Sequence, residues 1–412
     1  MPLHNHSLHS RGAEQTGGSC FGPRSRNLMD KKGGFKAGGG DVLCVRFHPE
    51  DRGKLYVACA DGSVRIHNTV EPYEHVGTLK CTAADGSPEH ATTFKFLDQR
   101  RHPGELVACY TSGTALVWHA PTAAVLGRYT GSGSLMAVDM SPDGKHLATA
   151  GDSLSIDIFP LAERGGDAAP AELGGFIRSE AALRMPESHS NRVQALRFHP
   201  KDPNVLFSAA WDRQVIEWDL TTRRPLQYFA GPYVCGEGLD VHPDGVQILT
   251  ASYREDDTLE LWKRGSSKRV GTLATSDSSK AYGCHFHPMD PRFACVVGVD
   301  RFELRLVDTD AGCSVGRLQT KCALYSGSFS GDGTLLAGGG VGGRVVIASI
   351  DPAKLMRLPD HVGEVEDAAE AALRLEMHRR SVDQMRKSFQ AQHEALDLEP
   401  PKVVDDKDDD SD

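Results

Sequence analysis

The stretch SHSNRVQALRFHPKDPNVLFSAAWDRQVIEWDL, residues 188–220, holds three short runs of strand-forming residues separated by two polar turns. Apolar and polar residues alternate in VQALRF and QVIEWDL, which is the pattern of a strand with one buried face. His-Pro and Trp-Asp-Arg interrupt these runs with residues that favour turns. The stretch therefore predicts three antiparallel strands within about 30 residues.

The same pattern recurs along the chain. Each copy has an apolar residue just before its first turn, and these anchors are Phe47, Phe96, Met140, Phe198, Val241, Phe286 and Phe329. The anchors are 43 to 58 residues apart, and the longest spacing contains an insertion at residues 160–182. Each copy has room for four strands. Since one small sheet cannot bury both of its faces, seven such sheets are expected to stack around an axis.

The repeat resembles that of the WD-repeat β-propellers, with AWDRQVIEWDL (residues 210–220) as its best copy and a match over residues 27–358. The resemblance implies an all-β, seven-bladed propeller. In that family a His, a Ser or Thr, an Asp and a Trp form a structural hydrogen-bond network, and His189, Ser208, Asp212 and Trp218 match those positions. We therefore interpret this tetrad as structural, because a nucleophilic Ser would need an exposed, activated hydroxyl.

The other copies depart from the family pattern. His67 stands where the first copy should have Trp, and Ser112 replaces the Asp that should precede Trp118. Asp256 precedes Trp262, but in a lengthened turn. Because the blades diverge in this way, their exposed loops are expected to form one particular binding surface rather than a generic one.

The composition divides the chain into four predicted segments. They are a disordered tail (1–26), the propeller (27–360, with the 160–182 insertion in blade three), an amphipathic helical arm (361–398) and an acidic disordered tail (399–412). Phe35 and Phe229 each lie 13 residues before a turn histidine, so residues 27–36 are expected to supply the outer strand of the last blade. Residues 354–358 (KLMRL) are the alternative closing strand.

The arm carries apolar residues at heptad positions, among them Leu375, Val382, Met385 and Phe389. Four other seam positions are small or polar, which does not favour a homo-oligomeric coiled coil. An amphipathic helix that docks onto a partner or onto the propeller flank is the expectation.

Charge and cysteine usage exclude several classes of function. Half of the net charge of −10 comes from residues 405–412, so no broad basic surface for nucleic acid is expected. No apolar run approaches 18 residues, and membrane insertion is not expected. The ten cysteines form no C-x-x-C pair, so we expect free thiols, no metal site and no cofactor.

Two motifs imitate enzyme signatures. Gly338, Gly340 and Gly343 satisfy G-x-G-x-x-G, but a strand-forming run follows instead of the helix that a dinucleotide site needs. GCSVG at residues 312–316 joins two predicted strands, whereas a nucleophile elbow leads from a strand into a helix. The chain is not expected to be an enzyme.

Binding is expected on the loops of one propeller face. Trp211, Tyr233, Tyr253 and Arg254 fall there in adjacent blades, and aromatic and Arg side chains often dominate interfaces. Packing of Trp211 against its own blade is the alternative. The resemblance implies a non-catalytic scaffold for other proteins, with a peptide-recognition module on the same face as the alternative. FKAGGGDVLCVRF and FAGPYVCGEGLDV resemble WD-repeat proteins of motile protists, which suggests a cytoplasmic protein of a cilium or the cytoskeleton.

Overall fold

The computed structural model describes residues 27–81, 89–161, 177–179, 183–185, 189–266, 268–273 and 280–355. These residues form seven separate sheets, each containing the four antiparallel strands of one blade, and one sheet has a fifth strand. The seven-bladed propeller predicted from the repeat is therefore confirmed. The predicted tails at 1–26 and 399–412 and the predicted arm at 361–398 lie outside the described residues.

Within each blade, successive strands lie progressively farther from the axis of the ring. The first strand of the chain is β1 (Met29–Lys36). Blade one contains β2 (Val42–Phe47), β3 (Lys54–Cys59), β4 (Ser63–Asn68) and β5 (His75–Lys80). Blade two contains β6 (Ala91–Phe96), β7 (Glu105–Tyr110), β8 (Thr114–His119) and β9 (Ala124–Thr130). Blade three contains β10 (Leu135–Met140), β11 (His146–Gly151), β12 (Ile156–Pro160) and, after the inserted strand β13 (Ile177–Ser179), β14 (Leu183–Met185).

The remaining blades repeat this order. Blade four contains β15 (Val193–His199), β16 (Asp202–Ala210), β17 (Gln214–Asp219) and β18 (Arg224–Ala230). Blade five contains β19 (Leu239–Val241), β20 (Gln247–Ala251), β21 (Leu259–Lys263) and β22 (Lys268–Thr272). Blade six contains β23 (Ala281–Phe286), β24 (Phe293–Gly298), β25 (Glu303–Asp308) and β26 (Cys313–Gln319). Blade seven contains β27 (Leu324–Phe329), β28 (Leu335–Gly340), a 3₁₀ turn (Val341–Gly343) and β29 (Arg344–Ile350), and the short helix α1 (Pro352–Leu355) follows.

The first strands of the blades form a closed ring around a central channel. They touch in the order β2, β6, β10, β15, β19, β23 and β27, and β27 contacts β2. In such a meander, the turns between second and third strands share one face with the connections between blades. We call this the top face, and the opposite one, with the turns between first and second strands, the bottom face.

The hydrophobic core is divided among the interfaces between neighbouring blades. Trp218 of blade four, for example, packs in one cluster with Ile158 of blade three, while Phe207 of blade four packs with Trp262 of blade five. Because each sheet contributes apolar side chains to both neighbours, no blade has a self-contained core. This explains why a sheet of four short strands is stable here.

Strand β1 closes the ring by pairing antiparallel with β29. Met29 lies opposite Ile350, and Phe35 lies opposite Val345. Met29 is only 2% exposed and packs in the cluster between blades six and seven. Of the two closing segments that the sequence leaves open, the structure thus has the N-terminal one, while Leu355 packs in the same cluster from α1.

Residues 177–179 of the insertion in blade three form a strand. This strand, β13, pairs in parallel with β9, the outermost strand of blade two, with Ile177 opposite Gly127. An outer strand exposes unpaired backbone N–H and C=O groups, and a segment crossing that edge can pair with them.

The cysteines follow the expectation of buried free thiols at eight described positions, from Cys44 to Cys322. Cys313 in β26 is different, since it is disulfide-bonded. The expectation of free thiols is therefore wrong at this position. Over the residues the structure covers, no helix is long and apolar enough to cross a membrane.

Candidate functional site

The tetrad residues of blade four form one continuous chain of hydrogen bonds. The Trp218 indole N–H donates to Ser208 Oγ over 2.8 Å, and Ser208 Oγ lies 2.7 Å from His189 Nε2. His189 Nδ1 lies 2.8 Å from Asp212 Oδ2. With Nδ1 protonated, every donor in this chain has an acceptor, so the imidazole, hydroxyl and indole can all be buried without loss.

The chain resembles a Ser–His–Asp triad but is sealed from solvent. Ser208 and the His189 side chain are 0% exposed, and the Asp212 side chain is 4% exposed. Burial would raise the pKa of Asp212, yet hydrogen bonds from His189 and from the Ser190 and Gln214 backbone lower it below its ordinary value. A substrate cannot reach Ser208. The geometry suits a structural role, in which the hydrogen bonds hold His189 against β16 and β17 at the top of blade four.

The turn histidines connect neighbouring blades on the bottom face. His287 Nδ1 accepts a backbone hydrogen bond from Asp290 over 3.0 Å, and its Nε2 lies 3.0 Å from the Gly333 carbonyl in blade seven. His199 contacts Gly245 of blade five in the same way, at 3.2 Å. Gly333 has φ +70°, and a Cβ there would lie 2.2 Å from the His287 ring. The repeated His-Pro and Asp-Gly turns therefore work as a pair across each of these interfaces.

The channel contains a carboxylate that joins opposite sides of the ring. Glu237 precedes β19 in blade five and forms an ion pair with Arg46 of blade one. It also accepts hydrogen bonds from Ser326 in blade seven over 2.9 Å and from Thr93 in blade two over 3.3 Å. Blades one and two lie across the axis from blade five, so this side chain spans the channel. A Cβ on the adjacent Gly238 would lie 2.3 Å from the Ala251 carbonyl oxygen, which explains the glycine there.

Electrostatics hold Glu237 in its charged form. Burial would raise its pKa, but Arg46 and His285 together keep the pKa of Glu237 well below its ordinary value. Burial also lowers the pKa of His285, whose Nε2 lies 3.6 Å from Glu237 Oε2. The pairing of Glu237 with Arg46 is thus a nearly buried ion pair, with side chains 13% and 16% exposed.

A ring of polar residues lies below Glu237, one from each blade at the position before the apolar anchor. The ring consists of Arg46, Lys95, Asp139, Arg197, Asp240, His285 and Ser328. Lys95 pairs with Asp139 at 2.7 Å, and Arg197 pairs with Asp240 at 3.2 Å. The ring lines a cavity of about 430 Å³ that opens on the bottom face. Since these charges are largely matched within the channel, the cavity has no strong excess of either sign.

The first group of candidate binding residues lies on the top of blade four. The rings of Trp211 and Tyr233 have centroids 6.2 Å apart. The Arg192 guanidinium lies 5.4 Å from the Trp211 ring centroid, and the Arg213 guanidinium lies 6.0 Å from that of Tyr233. Trp211 therefore does not pack only against its own blade, because Tyr233 belongs to the connection between blades four and five. We call these four residues the Trp211 cluster.

The second group continues across blades five to seven. The Tyr253 and Tyr282 rings meet edge to face with centroids 5.6 Å apart, and the centroids of Tyr282 and Tyr325 are 5.3 Å apart. Lys280 Nζ lies 5.3 Å from the Tyr253 ring centroid. The Tyr253 backbone N–H donates to the Tyr233 carbonyl over 2.8 Å, which connects this tyrosine row to the Trp211 cluster.

Arg254 differs from the other candidates because its guanidinium is used inside blade five. It donates to the carbonyls of Gly231 and Asp257 over 3.0 and 2.8 Å and pairs with Glu260 at 2.6 Å. These contacts fix the lengthened turn that presents Tyr253. We therefore leave Arg254 out of the binding surface, while the candidate arm contacts Leu375, Val382, Met385 and Phe389 lie outside the described residues.

Comparisons with known proteins identify the same repeat. The family model described as "WD domain, G-beta repeat" matches residues 32–68, 124–156 and 182–219. The matched segments lie in a propeller of seven four-stranded blades around a channel. The chain contains WD repeats.

The curated relatives of this WD-repeat propeller are distant. A guanine nucleotide-binding protein subunit beta of Solanum tuberosum is 24% identical over 221 residues, which cover 52% of this chain and 56% of the relative. Ribosome biogenesis protein YTM1 of Yarrowia lipolytica is 31% identical over 93 residues, 23% of this chain and 18% of that protein. Protein HIR1 of Kluyveromyces lactis is 28% identical over 135 residues, 32% of this chain and 15% of that protein. The chain thus spans about half the length of the G-beta relatives it matches, and less of the others.

The matched segments explain how the WD-repeat ring closes. The match at 182–219 runs from β14 of blade three through the first three strands of blade four. A sequence repeat therefore starts with the outer strand of the preceding blade. The match at 32–68 likewise begins within an outer strand. That strand is β1, which belongs to blade seven, the blade that precedes blade one in the ring.

Sequence reasoning did not identify Glu237 or the basic members of the Trp211 cluster. A charged residue between two glycines, in CGEG at residues 235–238, is the signal that could have marked Glu237. Arg192 and Arg213 sit next to tetrad turns, where their proximity to aromatic rings depends on the connection between two blades. No local pattern carries that information.

Proposed function

We propose that this chain is a non-catalytic scaffold that binds other proteins through the top face of blades four to seven. The observation that carries the proposal is the continuity of the Trp211 cluster with the tyrosine row. Together they place five partly exposed aromatic side chains on one face of four adjacent blades: Trp211, Tyr233, Tyr253, Tyr282 and Tyr325. Rigid aromatic side chains bury large areas on binding at little cost in conformational entropy.

The rigidity of this surface supports a docking role. Ser252 Oγ accepts the Tyr233 backbone N–H over 3.1 Å, and Arg254 holds the turn after Tyr253. The aromatic rings are therefore presented by backbone segments that are fixed before a partner arrives. A preformed surface of this kind loses little entropy on association.

The non-catalytic part of the proposal rests on the tetrad. The tetrad resembles a catalytic triad, but its Ser208 hydroxyl is fully buried and hydrogen-bonded to Trp218. The relatives support a role in assemblies, since one is named as a subunit and another as a ribosome biogenesis protein. We extend only the general role of assembly component to this chain.

Affinity purification from the cells that make the protein tests the proposal. The full chain is compared with Trp211→Ala/Tyr253→Ala and with a matched control, Leu226→Ala/Tyr228→Ala. The control residues are 53% and 52% exposed on the outer strand of blade four, so it removes similar apolar area at the blade rim. Partners that are lost only with the first variant support the top face.

Two finer points stay with this proposal. Truncation after residue 360 shows whether the predicted helical arm holds partners independently: a set of partners lost only on truncation would place the anchor in the arm. Equal recovery of partners by all variants would contradict a role for the top face. Location in the cytoplasm, at a cilium or in the cytoskeleton stays a prediction, which imaging of the tagged chain tests directly.

A further inference from the structure

We infer that the Trp211 cluster recognises a peptide segment with clustered anionic groups, carboxylate or phosphate, next to a bulky apolar side chain. This inference rests on the proposed function and names the chemistry of the partner. Four residues on the top of blade four carry it: Arg192, Trp211, Arg213 and Tyr233.

Within the part of the propeller that the structure describes, the two guanidinium groups have no anionic partner. Among the residues that the structure describes, neither Arg192 nor Arg213 has an acidic side chain within ion-pair distance, and both are exposed. The acidic residue beside them, Asp212, is turned inward to His189. By contrast, Arg46, Arg197, Arg254 and Arg269 each have a carboxylate partner.

The aromatic pair positions these two charges. Each guanidinium lies near the face of one ring, Arg192 near Trp211 and Arg213 near Tyr233, and the two rings adjoin each other. A guanidinium that contacts a ring face keeps its N–H edge available for carboxylate or phosphate oxygens. The cluster therefore offers an apolar platform flanked by two anion-binding forks.

The neighbouring blade limits where an anionic segment can lie. Glu255 and Asp256 are exposed in the turn after Tyr253, so negative charge faces a partner at blade five. An acidic segment is attracted to blade four and repelled from this turn, which defines one position on the surface. The channel cavity is the weaker candidate, because Lys95 and Arg197 there are already paired with Asp139 and Asp240.

Binding of labelled peptides to the full chain tests the inference. The probes are fluorescein-labelled octapeptides in which two fixed positions hold Glu, phosphoserine, Gln or Lys, and a neighbouring position holds Leu or Trp. Fluorescence anisotropy is recorded at two salt concentrations, since contacts between exposed charges weaken as salt rises. We expect the Glu or phosphoserine peptides to bind more tightly than the Gln and Lys peptides, and the better of the two anions identifies the source of the charge.

The variant Arg192→Gln/Arg213→Gln should weaken this binding about tenfold, the loss typical of central charged contacts. The matched control is Arg223→Gln/Arg224→Gln, which removes two exposed arginines from the bottom face of the same blade. It also matches backbone geometry, because Arg213 and Arg223 have φ of +63° and +60°. The control should leave binding within about twofold of the unaltered chain.

Three results would overturn the inference: equal binding of anionic and neutral peptides, equal losses in the two arginine variants, or no binding of any anionic peptide. None of them touches the proposed function, which is judged by recovery of partners with Trp211→Ala/Tyr253→Ala. If partners depend on the aromatic residues while Arg192→Gln/Arg213→Gln has no effect, the scaffold proposal stands and the anionic chemistry is wrong.

Discussion

The carboxylate that spans the channel makes the stability of the whole ring depend on one side chain. Glu237→Gln keeps the size of the side chain but removes its charge. The Arg46 guanidinium, whose side chain is only 16% exposed, then has no ionic partner. Breaking a buried ion pair from one side costs about 3–5 kcal/mol. Because both side chains keep some contact with water and the amide can still accept hydrogen bonds, we expect about 2–3 kcal/mol here.

This loss translates into a measurable change in melting temperature. Unfolding entropy is about 2.1 cal/mol/K per residue, so the roughly 290 residues that the structure describes give about 0.6 kcal/mol per degree. Glu237→Gln should therefore melt about 3–5 °C below the unaltered chain in scanning calorimetry. The control Glu255→Gln removes an exposed carboxylate from the same blade and should change the melting temperature by less than about 1 °C.

The pH dependence gives a second readout. The pKa of Glu237 is held below its unfolded value of about 4.3, so its stabilisation is complete above that pH. It is lost as the pH falls toward the lower pKa of the folded state, and the difference between the two proteins should shrink there. Melting temperatures that agree within 1 °C at pH 7, or a loss in Arg46→Met/Glu237→Gln equal to the sum of the two single losses, would refute the ion-pair argument.

Three further predictions concern the blades and the ring. Trp218→Ala should cost about 3–5 kcal/mol in urea unfolding, and Trp218→Phe less, because the first removes a buried ring and the second mainly its hydrogen bond to Ser208; equal losses would contradict the tetrad's packing role. Deleting residues 1–36 should give aggregated protein in size-exclusion chromatography, whereas deleting 361–412 should leave a folded monomer; the opposite pattern would mean that β1 is dispensable. Stability should also fall as the pH drops below about 6.5, because burial lowers the pKa of His287 and four other histidines, which the unfolded chain protonates more readily. His287→Gln should reduce that slope in melts between pH 5 and 8, and an unchanged slope would mean that this histidine is not part of it.

The features that were predictable from the sequence are those that each blade repeats. Apolar and polar residues alternate around Phe47 or Phe198 because one sheet buries its faces, so about ten residues are enough to recognise the pattern. The closing strand was predictable because Phe35 has the same spacing to a turn histidine as Phe229. Contacts made across the ring or between blades could not be predicted in this way. Glu237 contacts blades that are distant in the sequence, and the residues next to it form no pattern that indicates those contacts.

The engagement of Arg254 shows the same limit at shorter range. An Arg in a lengthened turn is predicted from the sequence to be a binding residue. The sequence does not show whether its side chain points to a partner or back into its own loop. Here the carbonyls of Gly231 and Asp257 and the Glu260 carboxylate are close enough to decide the matter. That arrangement depends on the exact length of the turn, which the repeat pattern does not specify.

The pairing of β1 with β29 also orders events during synthesis. Among the strands of the propeller, β1 leaves the ribosome first and its partner β29 last, more than 300 residues later, since Met29 lies opposite Ile350. Blades one to six can assemble on one another while the chain is growing, but until β29 emerges β1 has an unpaired edge and exposed apolar residues such as Met29. The nascent chain therefore carries an adhesive strand throughout its elongation, and a prematurely terminated chain keeps it. Such truncated products should be the species that chaperones retain or that aggregate, whereas the completed ring conceals the strand at once.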